Sequence, residues 1–302
     1  MADFALDTLQ HPFRPLLDIV GEHVRNFQFA LDFFTEFIDK HFSLAGFAML
    51  REYSRFRAKP RPVPRSLPVD QSLAGKLIAD ASAEALRDIG PAAMAVLAAY
   101  GLATAPLHFA PTPDDAVATA DRLGYPVVLK AVARDLSHKS DVGGVALNLA
   151  GADAVRRAFR AIENSLRLRL PQAPVTGVVV QHMLSGGHEF ILGAKRDPHF
   201  GPVVMFGLGG IYAEVFADVA FRLAPLMSEE AEELIWDVKA SRILKGLRGQ
   251  PPADVPALAE AIVRLGQLIG DWEEIKEIDV NPIKVFAAGE GAIAVDARIV
   301  LG

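Results

Sequence analysis

The stretch Tyr125–Leu149, YPVVLKAVARDLSHKSDVGGVALNL, constrains the fold more than any other part of the chain. Tyr125–Leu129 is an apolar run of strand length, and it is expected to end at Lys130. A polar loop follows with His138, Lys139, Ser140, Asp141, Gly143 and Gly144, and a second apolar strand begins at Val145. Strand, lysine, glycine loop and strand together suit the covering of a nucleotide's phosphates. The ammonium is a compact positive charge, and glycines let backbone N–H groups approach closely. Each residue also has a plainer reading. A lysine at a strand end can be a snorkelling edge residue, and glycines can simply shape a turn. His138 fits either a solvated loop histidine or a nucleophile, because an imidazole nitrogen can hold a phosphoryl group for a time.

Composition narrows the partners. Charged residues make up 23% of the 302 and the net charge is −6, with no long Lys/Arg cluster, which disfavours nucleic acid. There are no cysteines, so neither disulfides nor thiolate metal sites are possible, which fits a reducing cytoplasm. MADFALDTLQ does not read as a signal peptide, and no run of 18 apolar residues exists to span a membrane. The expected setting is therefore cytoplasmic.

Periodicity divides the chain into three parts. Residues 1–65 read as a helical extension and linker. The first 60 residues hold ten of the eighteen phenylalanines, and Val24, Phe27, Leu31, Phe34 and Ile38 fall at helical spacing. A second helix is expected near 43–57. Pro60, Pro62, Pro64 and Pro68 then fit only an extended linker. Residues 70–175 read as a small α/β lobe, with helices through Leu86, over Ala92–Tyr100, Asp114–Leu123 and Asp153–Leu170, around the two strands already named. Residues 176–302 read as a second lobe. Its strands are expected at Gly177–Gln181, Glu189–Lys195, Val203–Phe206, Ile275–Val280 and Ile293–Asp296, and its helices at Ser228–Val238 and Val255–Ile269. The class is α/β (α+β), with two lobes able to clasp a nucleotide.

Further candidates lie in this second lobe. Gly207-Leu208-Gly209-Gly210 lacks the third glycine of a dinucleotide fingerprint, so that reading is set aside. Arg222 suits phosphate clamping, or equally an ion pair with Asp218. Asn281 and Asp296, fifteen residues apart, bring an amide oxygen and a carboxylate, hard donors that suit Mg²⁺ beside nucleotide phosphates. Alone, Asn-Pro would be a turn and Asp296 an edge charge.

From roughly Ala83 to Gly302 the chain resembles the ATP-grasp subunit of the ADP-forming acyl-CoA synthetases, relatives of succinyl-CoA synthetase. The resemblance rests on HKSDVGG, EFILGAKRDP, FGLGG, DVAFRLAP and EIDVNPIKVF, in that order. It implies a two-lobed ATP-grasp fold. It makes His138 the transiently phosphorylated residue and Asp279 the carboxylate that steadies it. It assigns Lys130, Gly143 and Gly144 to the nucleotide, with Gln181 and Met183 at the adenine edge and Glu189 in the same pocket. Gly209, Gly210 and Arg222 would meet the transferred phosphate, and Asn281 and Asp296 would hold Mg²⁺. Further, it implies a hetero-oligomer with ATP or ADP as substrate and a CoA-binding ligase subunit carrying a second histidine as partner, since no such domain is legible here. The Phe-rich helices are expected to dock on that partner or on another copy of the chain. Two rival readings stand beside this one. The first is a regulatory version of the domain, associated with an acetyltransferase and without turnover. The second is a carboxylate–amine ligase, which needs no phosphohistidine loop.

Overall fold

The computed structural model describes residues 66–133, 142–170, 175–209, 218–246 and 249–302, together with Arg51 and Ser54. The chain divides between Arg65 and Ser66, and the described fold is that of the second unit. The expected Phe-rich helices, His138, Lys139, Ser140, Asp141 and Gly210 lie outside the described residues.

Helix α1 (Gln71–Ala83) starts at Asp70, whose carboxylate accepts from the Leu73 amide at 2.9 Å, the usual role of a short acidic N-cap. Helix α2 (Ala92–Ala99) is apolar almost all round and accordingly buried. Next come β1 (His108–Ala110), α3 (Pro113–Leu123), β2 (Val127–Ala133), β3 (Val145–Leu149), α4 (Ala152–Arg169) and β4 (Val175–His182). The four strands form an antiparallel sheet in the order β1-β4-β2-β3. Helix α3 has Thr112 as its cap, Pro113 in its first turn and Gly124, at φ +82°, just past its end. Val155, Phe159, Ile162 and Leu166 form the buried stripe of α4, and with α3 they cover one face of this sheet.

The larger sheet is built from β5 (His188–Asp197), β6 (Gly201–Leu208), β7 (Val219–Leu223), β8 (Ile275–Val285), β9 (Ala292–Ala294) and β10 (Ala297–Leu301). Its order is β10-β8-β5-β6-β7, with β9 beside β8, and every pairing is antiparallel. One face is closed by α5 (Ser228–Asp237) and α6 (Val255–Asp271), together with α1 and α2. Phe190 and Phe206 stack at its centre, with ring centroids 5.0 Å apart.

Four expectations change. The border between lobes does not fall at 175/176, because β4 pairs with β1 and β2 and so belongs to the first sheet. Helices α1 and α2 share the core of the second sheet, although they precede the first in the chain. Strand β2 does not stop at Lys130. Ala131, Val132 and Ala133 continue the ladder opposite Val178, Gly177 and Val175, which leaves Lys130 in mid-strand. Strands β1, β7 and β10 were not read from the sequence.

Leu166 and Leu168, two residues apart on α4, test this packing. Leu166→Ala is expected to cost about 2–5 kcal/mol in urea unfolding, because the side chain is fully buried. Leu168→Ala should stay within about 0.5 kcal/mol of the parent, because its side chain is 81% exposed.

Candidate functional site

Strand alternation sorts the candidates. On β2, Leu129 and Ala131 face α3 and α4, so Lys130 between them points to the other face of the sheet. Gln181 on β4 shares that face: Val128 sits opposite Gln181, and Lys130 opposite Val179. Both polar side chains are buried, Gln181 to 1% exposure and Lys130 to 5%. They end on one group of the second sheet. Lys130 Nζ donates to the Val295 carbonyl at 2.9 Å, and Gln181 Nε2 donates to the same oxygen at 3.2 Å. Gln181 Nε2 also lies 3.3 Å from the Ala105 carbonyl. The Lys130 ammonium stands 3.4 Å from Asp296 Oδ2.

Asp296 lies in the two-residue step between β9 and β10, held against β8. Asn281 N–H donates to the Asp296 carbonyl at 3.1 Å, and Val295 N–H donates to the Pro282 carbonyl at 3.0 Å. The two predicted metal donors are therefore cross-strand neighbours. A bulge places them so. Phe190 pairs with Ile283 and Leu192 with Val280, leaving Asn281 and Pro282 together opposite Ile191. Asp279 precedes this bulge, opposite Gly193 and Arg298. Its neighbours Ile278 and Val280 are core residues, which puts Asp279 on the helix-free face.

Does this donor set fit a divalent cation? Asp296 Oδ1 accepts from the Ala297 amide at 3.0 Å, while Oδ2 already faces the positive charge of Lys130. A carboxylate beside an amide residue, facing a cation, is compatible with Mg²⁺ completed by water and phosphate oxygens. Among the described residues no cluster of three His, Cys, Asp or Glu could hold a metal by itself.

The remaining candidates separate clearly. Gly143, at φ +69°, turns the loop into β3 beside α4, where Ser165 Oγ donates to the Val142 carbonyl at 2.7 Å. The Gly144 carbonyl accepts from the Ala131 amide at 2.7 Å. Glu189 faces Lys284 across β5 and β8 at 3.4 Å. Lys284, itself buried, also donates to the Leu184 carbonyl at 2.8 Å, just past β4, and nothing in its sequence context singled it out. The Met183 amide, expected at an adenine edge, donates to Pro126 O at 3.0 Å. Gly209 packs against the Phe190 backbone, where an added Cβ would come within 2.8 Å.

Arg222 is a correction on two counts. It pairs with Asp237 at 2.7 Å instead of with Asp218, whose carboxylate accepts from the Lys239 and Ala240 amides. Being opposite Val204, a core residue, it lies on the helix-covered face of the sheet, away from Asp279. Glu229, Glu232 and Glu233 line the same pocket. Arg222 therefore does not join the Lys130 centre, and an added phosphate would meet carboxylates there.

Residues 68–301 match the ATP-grasp domain family. The chain belongs to that family. It is 45% identical over 228 residues to the acetate–CoA ligase [ADP-forming] I subunit beta of Pyrococcus furiosus, covering 76% of this chain and 97% of that subunit. It is 44% identical over 267 residues to acetate–CoA ligase [ADP-forming] I of Archaeoglobus fulgidus, covering 88% of this chain. The ATP-grasp chain thus spans only 38% of that longer relative. The alignment is longer than residues 66–302, so it reaches into the N-terminal segment. The acetyl-coenzyme A synthetase 1 of Ca. Korarchaeum cryptofilum, solved with coenzyme A, Ca-AMPCP and HgCl⁺, superposes with a TM-score of 0.72 at 40% identity, covering 76% of this chain and 100% of that one. The same enzyme solved with coenzyme A and Mg-AMPPCP has its phosphohistidine segment pointing towards the nucleotide binding site; it superposes with a TM-score of 0.65 at 38% identity, over the same shares of both chains. No helix among the described residues is long and apolar enough to cross a membrane.

A buried lysine kept for function should contribute little to stability. Replacing a buried charge pair with apolar groups is often neutral or favourable, whereas stranding one charge is costly. Lys130→Met leaves behind a carboxylate that is 26% exposed and keeps the Ala297 amide, so it is expected to be the cheaper of the two single changes, at about 1 kcal/mol. Asp296→Ala, which takes the carboxylate from a buried ammonium, should cost more, towards about 3 kcal/mol. Paired denaturant melts would check the order.

Proposed function

We propose that this chain is the nucleotide-handling part of an ADP-forming acyl-CoA synthetase, moving a phosphoryl group between ATP and His138. The observation that carries the reading is the convergence of Lys130, Asn281 and Asp296, from two sheets, at one point of an ATP-grasp fold. Close identity along nearly the whole length of a beta subunit supports it.

Phosphoryl transfer asks a protein mainly for positioning and charge neutralisation. Lys130 holds the phosphate tail, its ammonium turning from Asp296 toward phosphate oxygens. Asn281 and Asp296 would hold Mg²⁺, which would offset phosphate charge. His138 supplies the nucleophile. An imidazole nitrogen forms the N–P bond as the bond from the γ-phosphorus to the β,γ-bridging oxygen breaks, and ADP leaves; the reverse step rebuilds ATP. Asp279, on the helix-free face, accepts the second imidazole N–H and keeps the reactive nitrogen unprotonated. Glu189 and Lys284, paired beside the connector that leaves β4, would border the nucleoside. The acyl and CoA chemistry then belongs to a partner subunit or domain with its own histidine, in the overall reaction of acid, CoA and ATP to acyl-CoA, ADP and phosphate.

Mass analysis under alkaline conditions after incubation with Mg-ATP tests this. The expected result is one phosphoryl group on His138, removed by added ADP and absent in His138→Ala. ATP binding without any phosphorylation, even with the CoA-binding partner present, would overturn the proposal in favour of the regulatory reading.

A further inference from the structure

The Val295 carbonyl accepts from Lys130 and from Gln181, and the two donors are not equivalent. Lys130 carries a charge, and on the function proposed above its ammonium must turn toward phosphate. Gln181 is neutral, buried to 1% exposure and fixed between two acceptors, Val295 O and Ala105 O. Its two amide hydrogens match those two carbonyls, one each. Ala105 and Val295 lie in one backbone neighbourhood, since the Ala105 amide donates to Ala294 O at 2.9 Å. A side chain rooted in the first sheet thus binds the backbone immediately before Asp296.

We infer that Gln181 is a positioning residue for the phosphate-handling centre, and that its side chain is not a nucleotide contact. It holds Val295, and so the Asp296 carboxylate and the Asn281–Asp296 backbone bond, in place whichever way the Lys130 ammonium points. A neutral amide suits this task better than a second lysine. It offers two donors at fixed spacing without bringing another buried charge to desolvate. The inference rests on the proposed function for its consequence, but its geometry is independent of any nucleotide.

The test uses Gln181→Met, which keeps length and volume and removes both donors. Val178→Ala is the control. It lies three residues before Gln181 on β4, on the opposite face, in the core under α3 and α4, and loses stability without touching the bridge. Two readouts are taken. The first is Mn²⁺ binding to the full chain with ADP, followed by electron paramagnetic resonance. Supporting groups of this kind are worth about 10–100-fold in metal affinity, so Gln181→Met should weaken Mn²⁺ by that factor while Val178→Ala leaves it within about twofold. The second is hydrogen exchange of the Asn281 amide, which bonds Asp296 O. It should quicken by about tenfold in Gln181→Met and not in Val178→Ala.

Unchanged Asn281 exchange in Gln181→Met would overturn the inference, as would equal effects in both variants, which would reduce the result to lost stability. If the parent binds no Mn²⁺ with ADP, the functional reading falls by itself. The exchange of Asn281 then decides the bridge alone, with the same expected and contrary results.

Discussion

Two sheets meet in this fold at one backbone carbonyl. Val295 O draws the ammonium of Lys130 and the amide of Gln181 out of the first sheet and onto the second. Burying an ammonium costs several kcal/mol unless it is paired and hydrogen-bonded, and Lys130 meets both conditions through Asp296 and this carbonyl. The tie needs β2 to run past Lys130 as a central strand, so that the lysine is held from both sides by the ladder. It also needs Asp296 to be fixed, which the bulge at Asn281 and Pro282 provides through two reciprocal backbone bonds.

Alternation along the strands does the rest of the sorting. Lys130, Gln181, Asp279, Glu189 and Lys284 all sit on faces that the helices do not cover. Arg222 sits on the covered face and is satisfied by Asp237 at the edge of α5. This explains why one basic residue serves the centre and another does not, although both stand in apolar strands. The same alternation lets an ordinary core coexist with a polar face, because each sheet packs helices on one side and keeps polar residues on the other.

The helices were legible. Asp70, Thr112 and Asp254 cap α1, α3 and α6, and the apolar stripes of α4 and α6 follow the helical period. So were most of the long strands and the pairing of Asn281 with Asp296, although β8 was read only to Val280 and runs on through Asn281 to Val285. What escaped was set by partners distant in the chain. Lys130 looks like a strand end because a charged residue closes the apolar run Tyr125–Leu129; only pairing with Val175–Val178 shows that the strand continues. The border between lobes escaped because β4 completes the first sheet after a helix and two prolines. Gln181 read as part of an adenine edge, since nothing local announces that its side chain reaches a carbonyl 114 residues away. Lys284 escaped for the same reason, its partners being Glu189 and Leu184 on the far side of two helices.

On the proposed function, Lys130 is held for phosphate and not for folding. Calorimetric titration of Mg-ADP into the parent and Lys130→Met addresses that directly. Loss of one charge-assisted bond, about 1.5–3 kcal/mol, predicts affinity lower by at least about tenfold in a variant that folds like the parent. Equal affinities in two equally folded proteins would contradict the account and return Lys130 to the role of a buried structural ion.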